Sequence, residues 1–501
     1  MELADRGAIS TTEIAATRGE ACSDPNRQAE LQYLRAVLLE CLPIELDAEA
    51  GRIVEVKDTF FDAGLPIGGP RNKSVRISPG GCILGAALGA EFVEWTASGR
   101  EALPGPVFEG WNIGAVPAKW VRPRGGEALM LLVLLVLFVV ALPGADLPPW
   151  RETTVTASLK MGYQLVVADL NRDGRPDLIV VDERGTELAW YENPTWERHV
   201  IVKDVPRTIN LDVYDYDGDG IPEIAMGHNF ETVPEKSIGN VLILKSGPDP
   251  RQPWTAREID RIPTVHRLRW IDLKGDGKKV LLVAPMIGLK ASPPDYADNV
   301  PVYLYRPGEW KRELYTLLPR GILHSITPVR WQGRGEQLMT ADFLGIRVFL
   351  PKGPVEISKG DPRPCPQCGS SEIKIGHLGK RRFIAAIEPW HGNQVVVYTE
   401  EGRAWKRHVI EDAMVNGHAL AVGDLNGDGR DEIVAGFRGA GFQLYIFTAD
   451  DETGSRWTRH LLDPGGIAAA DCKIADFHGN GRPAIACSGA STANVKLYSQ
   501  R

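Results

Sequence analysis

Twelve oxygen-bearing side chains recur at fixed spacing. Asp169, Asn171, Asp173 and Asp177 occupy positions 1, 3, 5 and 9 of a Gly-containing turn. Asp215, Asp217, Asp219 and Glu223 repeat the pattern, as do Asp424, Asn426, Asp428 and Glu432. Oxygen ligands at alternate positions around a Gly turn suit a hard cation, here Ca²⁺. The competing reading is that these carboxylates cap the turn's own N–H groups and hold no metal. Related turns at Asp272 and Asp276, and at Asp476 and Asn480, carry too few ligands. In either reading the turns are structural.

A second spacing concerns imidazoles. His266 lies six residues before Asp272, and His418 lies six before Asp424. His324 takes the matching place before a turn that has decayed, and Tyr163 takes it before Asp169. Asp342, Glu388 and His228 close a second set of matched positions, with Asp182 beside them and His391 just after Glu388. Convergent His and carboxylates permit two chemistries. Neutral imidazoles hold Zn²⁺ or another divalent metal and leave a position open for substrate. Alternatively a His or Tyr abstracts a proton next to a carbonyl or carboxylate, with a metal or Arg stabilising the enolate. His199, His408 and His460 also recur in register, but in a different strand, where an edge role is expected. Cys365 and Cys368 form one C-x-x-C in a Pro-rich loop, read as half a zinc knuckle or equally as a local disulfide or two free thiols. Cys472 and Cys487 are equidistant from the Asp476 turn and are expected to face each other on paired strands. The chain shows no nucleophile elbow, P-loop or dinucleotide fingerprint.

The elements that must position these residues are repeats. A Trp followed by a basic-polar strand appears at Trp150, Trp196, Trp254, Trp310, Trp405 and Trp457. One unmarked unit near Val355-Glu356-Ile357 gives a period of about 51 residues. Each unit also has a hairpin around the turn, such as VVADLNRDGRPDLIVV from Val166, and a short apolar strand such as LAWYEN. Four short strands per unit, repeated seven times, predict an all-β, seven-bladed β-propeller. The last unit, ending VKLYSQR, lacks a Trp strand, and the strand at Trp150 lacks an owner. The N-terminal strand is therefore expected to close the last blade. In this arrangement Tyr163, His266, His324 and His418 start innermost strands at one mouth of the channel, and the acidic turns lie at the opposite face.

The turn D-x-N/D-x-D-G-x-x-D/E followed by I-V/A resembles FG-GAP/VCBS-type repeats over about residues 150–501. That resemblance implies a seven-bladed, usually extracellular propeller, and no single activity. The copies GHALAVGDLNGDGRDEIVAGFRG and VHRLRWIDL are similar to the propeller domain of aldos-2-ulose dehydratases. This similarity implies a carbon–oxygen lyase acting on carbohydrate or a small sugar-derived substrate. His266, His324 and His418 would then hold a metal or act as base, with His228, Asp342, Glu388 and Tyr163 completing the site. The alternative is a non-catalytic, integrin-like module binding a glycan or an extracellular protein at the same mouth.

The remaining sequence is bounded by composition. The chain has 501 residues, 53 Gly, 36 Pro, 13 Trp, 7 Cys and a formal net charge of -8. Hydrophobic content of 43% and charged content of 24% exclude wholesale disorder. The acidic balance argues against nucleic acid as a partner. Residues 1–127 show no repeat, with a helix expected only over 28–42, and read as a poorly structured or spurious upstream extension. Residues 128–145 contain ALMLLVLLVLFVVAL, preceded by Arg122 and Arg124 and followed by Pro143 and Gly144. This segment reads as a signal peptide with translation starting near Met130, as a single-pass anchor, or as a core helix. A secreted product over residues 146–501 is expected, with membrane contact only if the segment stays uncleaved.

Overall fold

The computed structural model describes residues 147–501 except Arg403, together with the backbone of two short strands in the N-terminal part. The chain divides into two units, residues 1–127 and 128–501. In the first, Ile44–Asp47 and Arg52–Val56 pair antiparallel. The helix expected over 28–42 and the hydrophobic segment at 128–142 lie outside the described residues.

The second unit is a ring of seven four-stranded antiparallel blades. Their innermost strands are Gly162–Ala168, Asn210–Tyr214, Val265–Ile271, Leu323–Val329, Ile373–Leu378, Gly417–Gly423 and Ala469–Ala475. The unmarked outer strand falls at Gly353–Ser358, in blade 4, where the period requires it. Trp150–Thr156 pairs with Val495–Gln500 and supplies the fourth strand of blade 7. The first strand thus covers the edge the last blade would expose, which is how an open ring of sheets is closed.

The Trp landmark has a packing cause. Four of the six landmark Trp residues reach back to an aromatic ring of the preceding blade. Trp196 meets Phe477, Trp310 meets Tyr216, Trp405 meets Trp331 and Trp457 meets Phe383, at ring-centroid distances of 5.2–6.1 Å. Between blades, Leu, Ile, Val and Ala from facing sheets form separate buried clusters. In these repeats a large aromatic fills the wider outer gap that small aliphatics leave.

The inner edges would leave backbone groups unpaired along the channel. Side chains of the preceding blade take them up. Asp471 accepts from Leu165 N at 3.0 Å, Gln164 from Leu211 N at 2.8 Å, Asn210 from Leu268 N at 3.0 Å and Asp212 from Trp270 N at 2.8 Å. Polar residues in the innermost strands are thereby explained as substitutes for a missing neighbouring strand.

Cys472 and Cys487 are register partners across the inner hairpin of blade 7 and form a disulfide. Cys365 and Cys368 form a second, local one. Among the described residues, no helix is long and apolar enough to cross a membrane.

Candidate functional site

The start of an innermost strand faces the channel, but a regular strand directs its side chains into the interfaces between blades. Bulges solve this. In blade 3 the ladder passes from Val265 to Arg267 and leaves His266 as the extra residue. His324 is skipped in blade 4, His418 in blade 6 and Ala470 in blade 7. Tyr163 and Gln164 are together skipped in blade 1. An extra residue bends its strand and re-aims its side chain. The positions matched by spacing in the sequence are thus the positions turned out of the ladder.

Four imidazoles meet there. Ring centroids lie 5.0 Å apart for His266 and His324, 4.8 Å for His324 and His391, 5.4 Å for His324 and His418, and 5.1 Å for His391 and His418. His324, His391 and His418 each offer one ligand atom within 4.8 Å of the others. His391 comes from the turn after the second strand of blade 5 and is held by Trp390, stacked on it at 4.8 Å. Tyr163 Oη lies 3.3 Å from His266 Nε2.

The far nitrogens of these rings set their orientation. His418 Nδ1 bonds the carbonyl of Ala470, and its Nε2 is buried without a partner. His324 Nδ1 lies 3.1 Å from Glu372 Oε1 and 3.1 Å from Ser371 Oγ. A histidine that donates through one nitrogen to a carboxylate or carbonyl presents the other as a lone pair. His324 Nε2 faces His391 Nε2 at 3.0 Å. These donors fit a borderline metal such as Zn²⁺, which three imidazoles bind with a position left open.

Burial and nearby charge set the basicity of these rings. Burial, then the positive charge of Arg267, holds His266 and His324 well below the usual imidazole range. Burial and Arg438 do the same for His418, and bring His391 down to about 3. An imidazole this reluctant to protonate is a poor proton store at neutral pH, although the same burial and positive charge also weigh against a bound cation. The convergence of three imidazole nitrogens, rather than their basicity, is what points to metal ligation. Burial would raise Glu372, but Arg267 at 2.6 Å and Lys374 at 3.8 Å outweigh it and hold the carboxyl at about 2.

Three of the expected site residues stand outside the three-histidine group. Asp342 pairs with Arg347 of the next strand and accepts from Leu344 N at 2.8 Å. Glu388 is bonded to Tyr398 at 2.6 Å and Arg407 at 2.9 Å, within its own blade. His228 is buried at the end of the second strand of blade 2, with Nδ1 unpaired, apart from the three-histidine group. His199, His408 and His460 lie in outer strands and bond Glu192, Thr399 and Thr448. The residues that spacing did not single out are Glu372, Arg267 and Arg438. Glu372 arrives on the loop carrying the Cys365–Cys368 disulfide, which has no counterpart in the other repeats.

The acidic turns lie at the other end of the inner strands. In all three, the position-1 Asp caps a Gly N–H at 2.9 Å, with the accepted protons on Gly174, Gly220 and Gly429. The position-9 carboxylates Asp177, Glu223 and Glu432 accept from Leu170, Tyr216 and Leu425 N–H at 3.0, 3.2 and 2.8 Å. Those glycines have φ of 83°, 87° and 81°, a region that side chains resist. The turns differ in where their cations sit. In blade 6 Arg430 reaches only Asp428, at 3.1 Å. In blade 2 Lys245 Nζ sits among Asp217, Asp219 at 3.2 Å and Glu223 at 2.8 Å, within the turn whose Asp215, Asp217 and Glu223 could also converge on a metal. Among the described residues no ion pair within 4.0 Å reaches Asp177 or Glu432.

Residues 169–226 match the family model of an FG-GAP-like repeat, and residues 416–457 that of an FG-GAP repeat. A curated relative is aldos-2-ulose dehydratase of Phanerodontia chrysosporium, 23% identical over 283 residues, covering 48% of this chain and 31% of that protein. The chain thus spans about a third of the relative's length. Among solved structures, the extracellular domain of the hybrid two-component system BT4673 from B. thetaiotaomicron aligns with a TM-score of 0.45 at 14% identity, over 70% of this chain and 39% of that one. BBS1N, solved in complex with ARL6DN, aligns with a TM-score of 0.44 at 10% identity, over 72% of this chain and 98% of its own. The repeat turns, the seven closed blades and the two family matches together identify the chain as an FG-GAP repeat β-propeller.

Proposed function

We propose that the histidine mouth is the active site of a metal-assisted dehydratase acting on a sugar. The observation that carries this reading is the group His324, His391 and His418, three neutral imidazoles whose ligand atoms converge within 4.8 Å. The distant likeness to aldos-2-ulose dehydratase supports a carbohydrate substrate. In this reading the three histidines hold a divalent metal, which when bound polarises a carbonyl oxygen of the substrate.

The chain's own residues then have defined tasks. Glu372 and the Ala470 carbonyl orient His324 and His418. Tyr163, whose hydroxyl lies 3.3 Å from His266 Nε2, is the group assigned to exchange a proton with the substrate, and His266 positions it. Elimination removes a proton from the carbon beside the carbonyl and a hydroxyl from the next carbon. A carbon–carbon double bond forms, and the hydroxyl leaves as water with one proton. Calcium in the turns of blades 1 and 6 would have a structural role, far along the inner strands from this chemistry. Two disulfides support a secreted protein, because such bonds persist in oxidising compartments.

The test is turnover of 2-keto sugars by the purified protein, followed by the ultraviolet absorbance of the unsaturated product. Tyr163→Phe should lower kcat by about 10²-fold or more, the usual contribution of a positioned proton donor or acceptor. Binding of sugars without any elimination would instead favour a glycan-binding module.

A further inference from the structure

The chamber behind the histidines is cationic. Among the described residues it is lined by four basic side chains, Arg267, Arg269, Lys374 and Lys473, and by two carboxylates, Glu372 and Asp471. Arg438 lies at its mouth beside His391, and Asp212 acts on Arg269 from the strand edge. Asp471 and Asp212 also serve the strand edges of neighbouring blades. Glu372 pairs with Arg267, and Asp471 with Lys473. Arg269 and Arg438 have no carboxylate within 4.0 Å among the described residues. A bound divalent cation would add to the positive excess.

Unbalanced cations in a site shielded from water are costly unless an anion completes them. Arg438 is the one placed to receive it from outside. It follows the second strand of blade 6, at the mouth. Its Nη2 reaches Asn416 Oδ1 at 3.1 Å and lies 3.4 Å from His391 Nδ1, while its Nε is buried without a partner. The chamber below, lined by Arg267, Arg269, Lys374 and Lys473, has a volume of about 40 Å³. That is room for about one water, not for a sugar ring. A ligand must therefore lie over the histidines and present only an end group to the basic residues.

We infer that the substrate of this site is a sugar acid, whose carboxylate is received by the Arg438 guanidinium at the mouth of the cationic channel. A planar carboxylate matches the planar fork of arginine, and this pairing selects acids over neutral sugars of the same size. The inference rests on the reading of the mouth as a sugar site and narrows its substrate class.

Isothermal titration of the full chain with D-glucuronate, D-gluconate, D-glucose and D-glucose 6-phosphate tests it. One or both carboxylates should bind about tenfold or more tighter than D-glucose, and Arg438→Gln should abolish that difference. Arg438→Lys should restore part of it, which separates lost charge from lost folding. Equal binding of acids and glucose, or an unchanged preference in Arg438→Gln, overturns the inference. Tighter binding of the phosphate than of either carboxylate overturns the assignment to a carboxylate. Failure of the two readings can be told apart. If acids bind through Arg438 but no sugar is dehydrated, the sugar-acid site stands and the dehydratase fails. If neutral 2-keto sugars are dehydrated and acids neither bind nor react, the dehydratase stands and the sugar-acid site fails.

Discussion

Lys245→Met isolates the difference between the turn of blade 2 and those of blades 1 and 6. Methionine keeps the length and packing of the stem and removes the ammonium. Glu223 is then left 1% exposed beside Asp217 and Asp219, without the cation that now bonds all three. Removing one partner of a fully buried ion pair costs about 3–5 kcal/mol, and of an exposed pair about 0–1 kcal/mol. Lys245 is 39% exposed and Glu223 is not, so an intermediate cost of about 1–2 kcal/mol is expected. A ring of about 350 residues unfolding with about 2.1 cal/mol/K per residue should lose about 1–3 °C in Tm. The informative arm is calcium. With the ammonium gone, Asp215, Asp217, Asp219 and Glu223 offer the oxygen pattern of a calcium turn. Scanning calorimetry with EDTA or excess calcium should show a larger calcium-induced rise in Tm for Lys245→Met than for the wild type. An unchanged Tm in EDTA, or the same calcium increment in both proteins, refutes the view that Lys245 takes the place of a metal.

Further outcomes follow from the same structure. Burial, with added repulsion from neighbouring acids, raises Asp177 to about 7 and Glu432 to about 8. The folded state therefore holds protons that the unfolded chain has released, and stability in EDTA should fall as pH rises from about 4 towards 7–8. Calcium should suppress that fall; a rise in stability over this window would contradict the assignment. Replacing both Cys472 and Cys487 with Ala opens a disulfide of sequence separation 15 in blade 7, with an expected loss of about 3 kcal/mol in denaturant unfolding. Deleting residues 147–156 strips the closing strand and the 2.9 Å Glu152–Lys496 pair, leaving Val495–Gln500 as a bare edge. Gel filtration should show aggregates; a monomer with an unchanged Tm would mean that ring closure does not need this strand.

The ring was legible in the sequence because each blade repeats the same physical solution. The Gly turn, the apolar third strand and the Trp wedge recur wherever the geometry recurs, and the orphan strand at Trp150 disclosed the closure. The mouth was legible in part, since Tyr163, His266, His324 and His418 keep a constant distance from their turns. The bulges that aim them inward leave no mark in residue type. Asp342 and Glu388 were placed at the right end of their strands, but Arg347 and Arg407 engage them, and pairing across strands is not written in spacing. Glu372 was invisible for the opposite reason. It rides on an insertion outside the repeat, so no register pointed to it.

The central claim is that His324, His391 and His418 form a metal centre. The direct measurement is elemental analysis of the purified full chain, dialysed after exposure to zinc, beside His418→Ala and the outer-strand control His199→Ala. The account predicts about one transition-metal ion per chain in the wild type and in His199→Ala, and its loss in His418→Ala. Metal content that stays at background in the wild type, or that His418→Ala leaves unchanged, would contradict it.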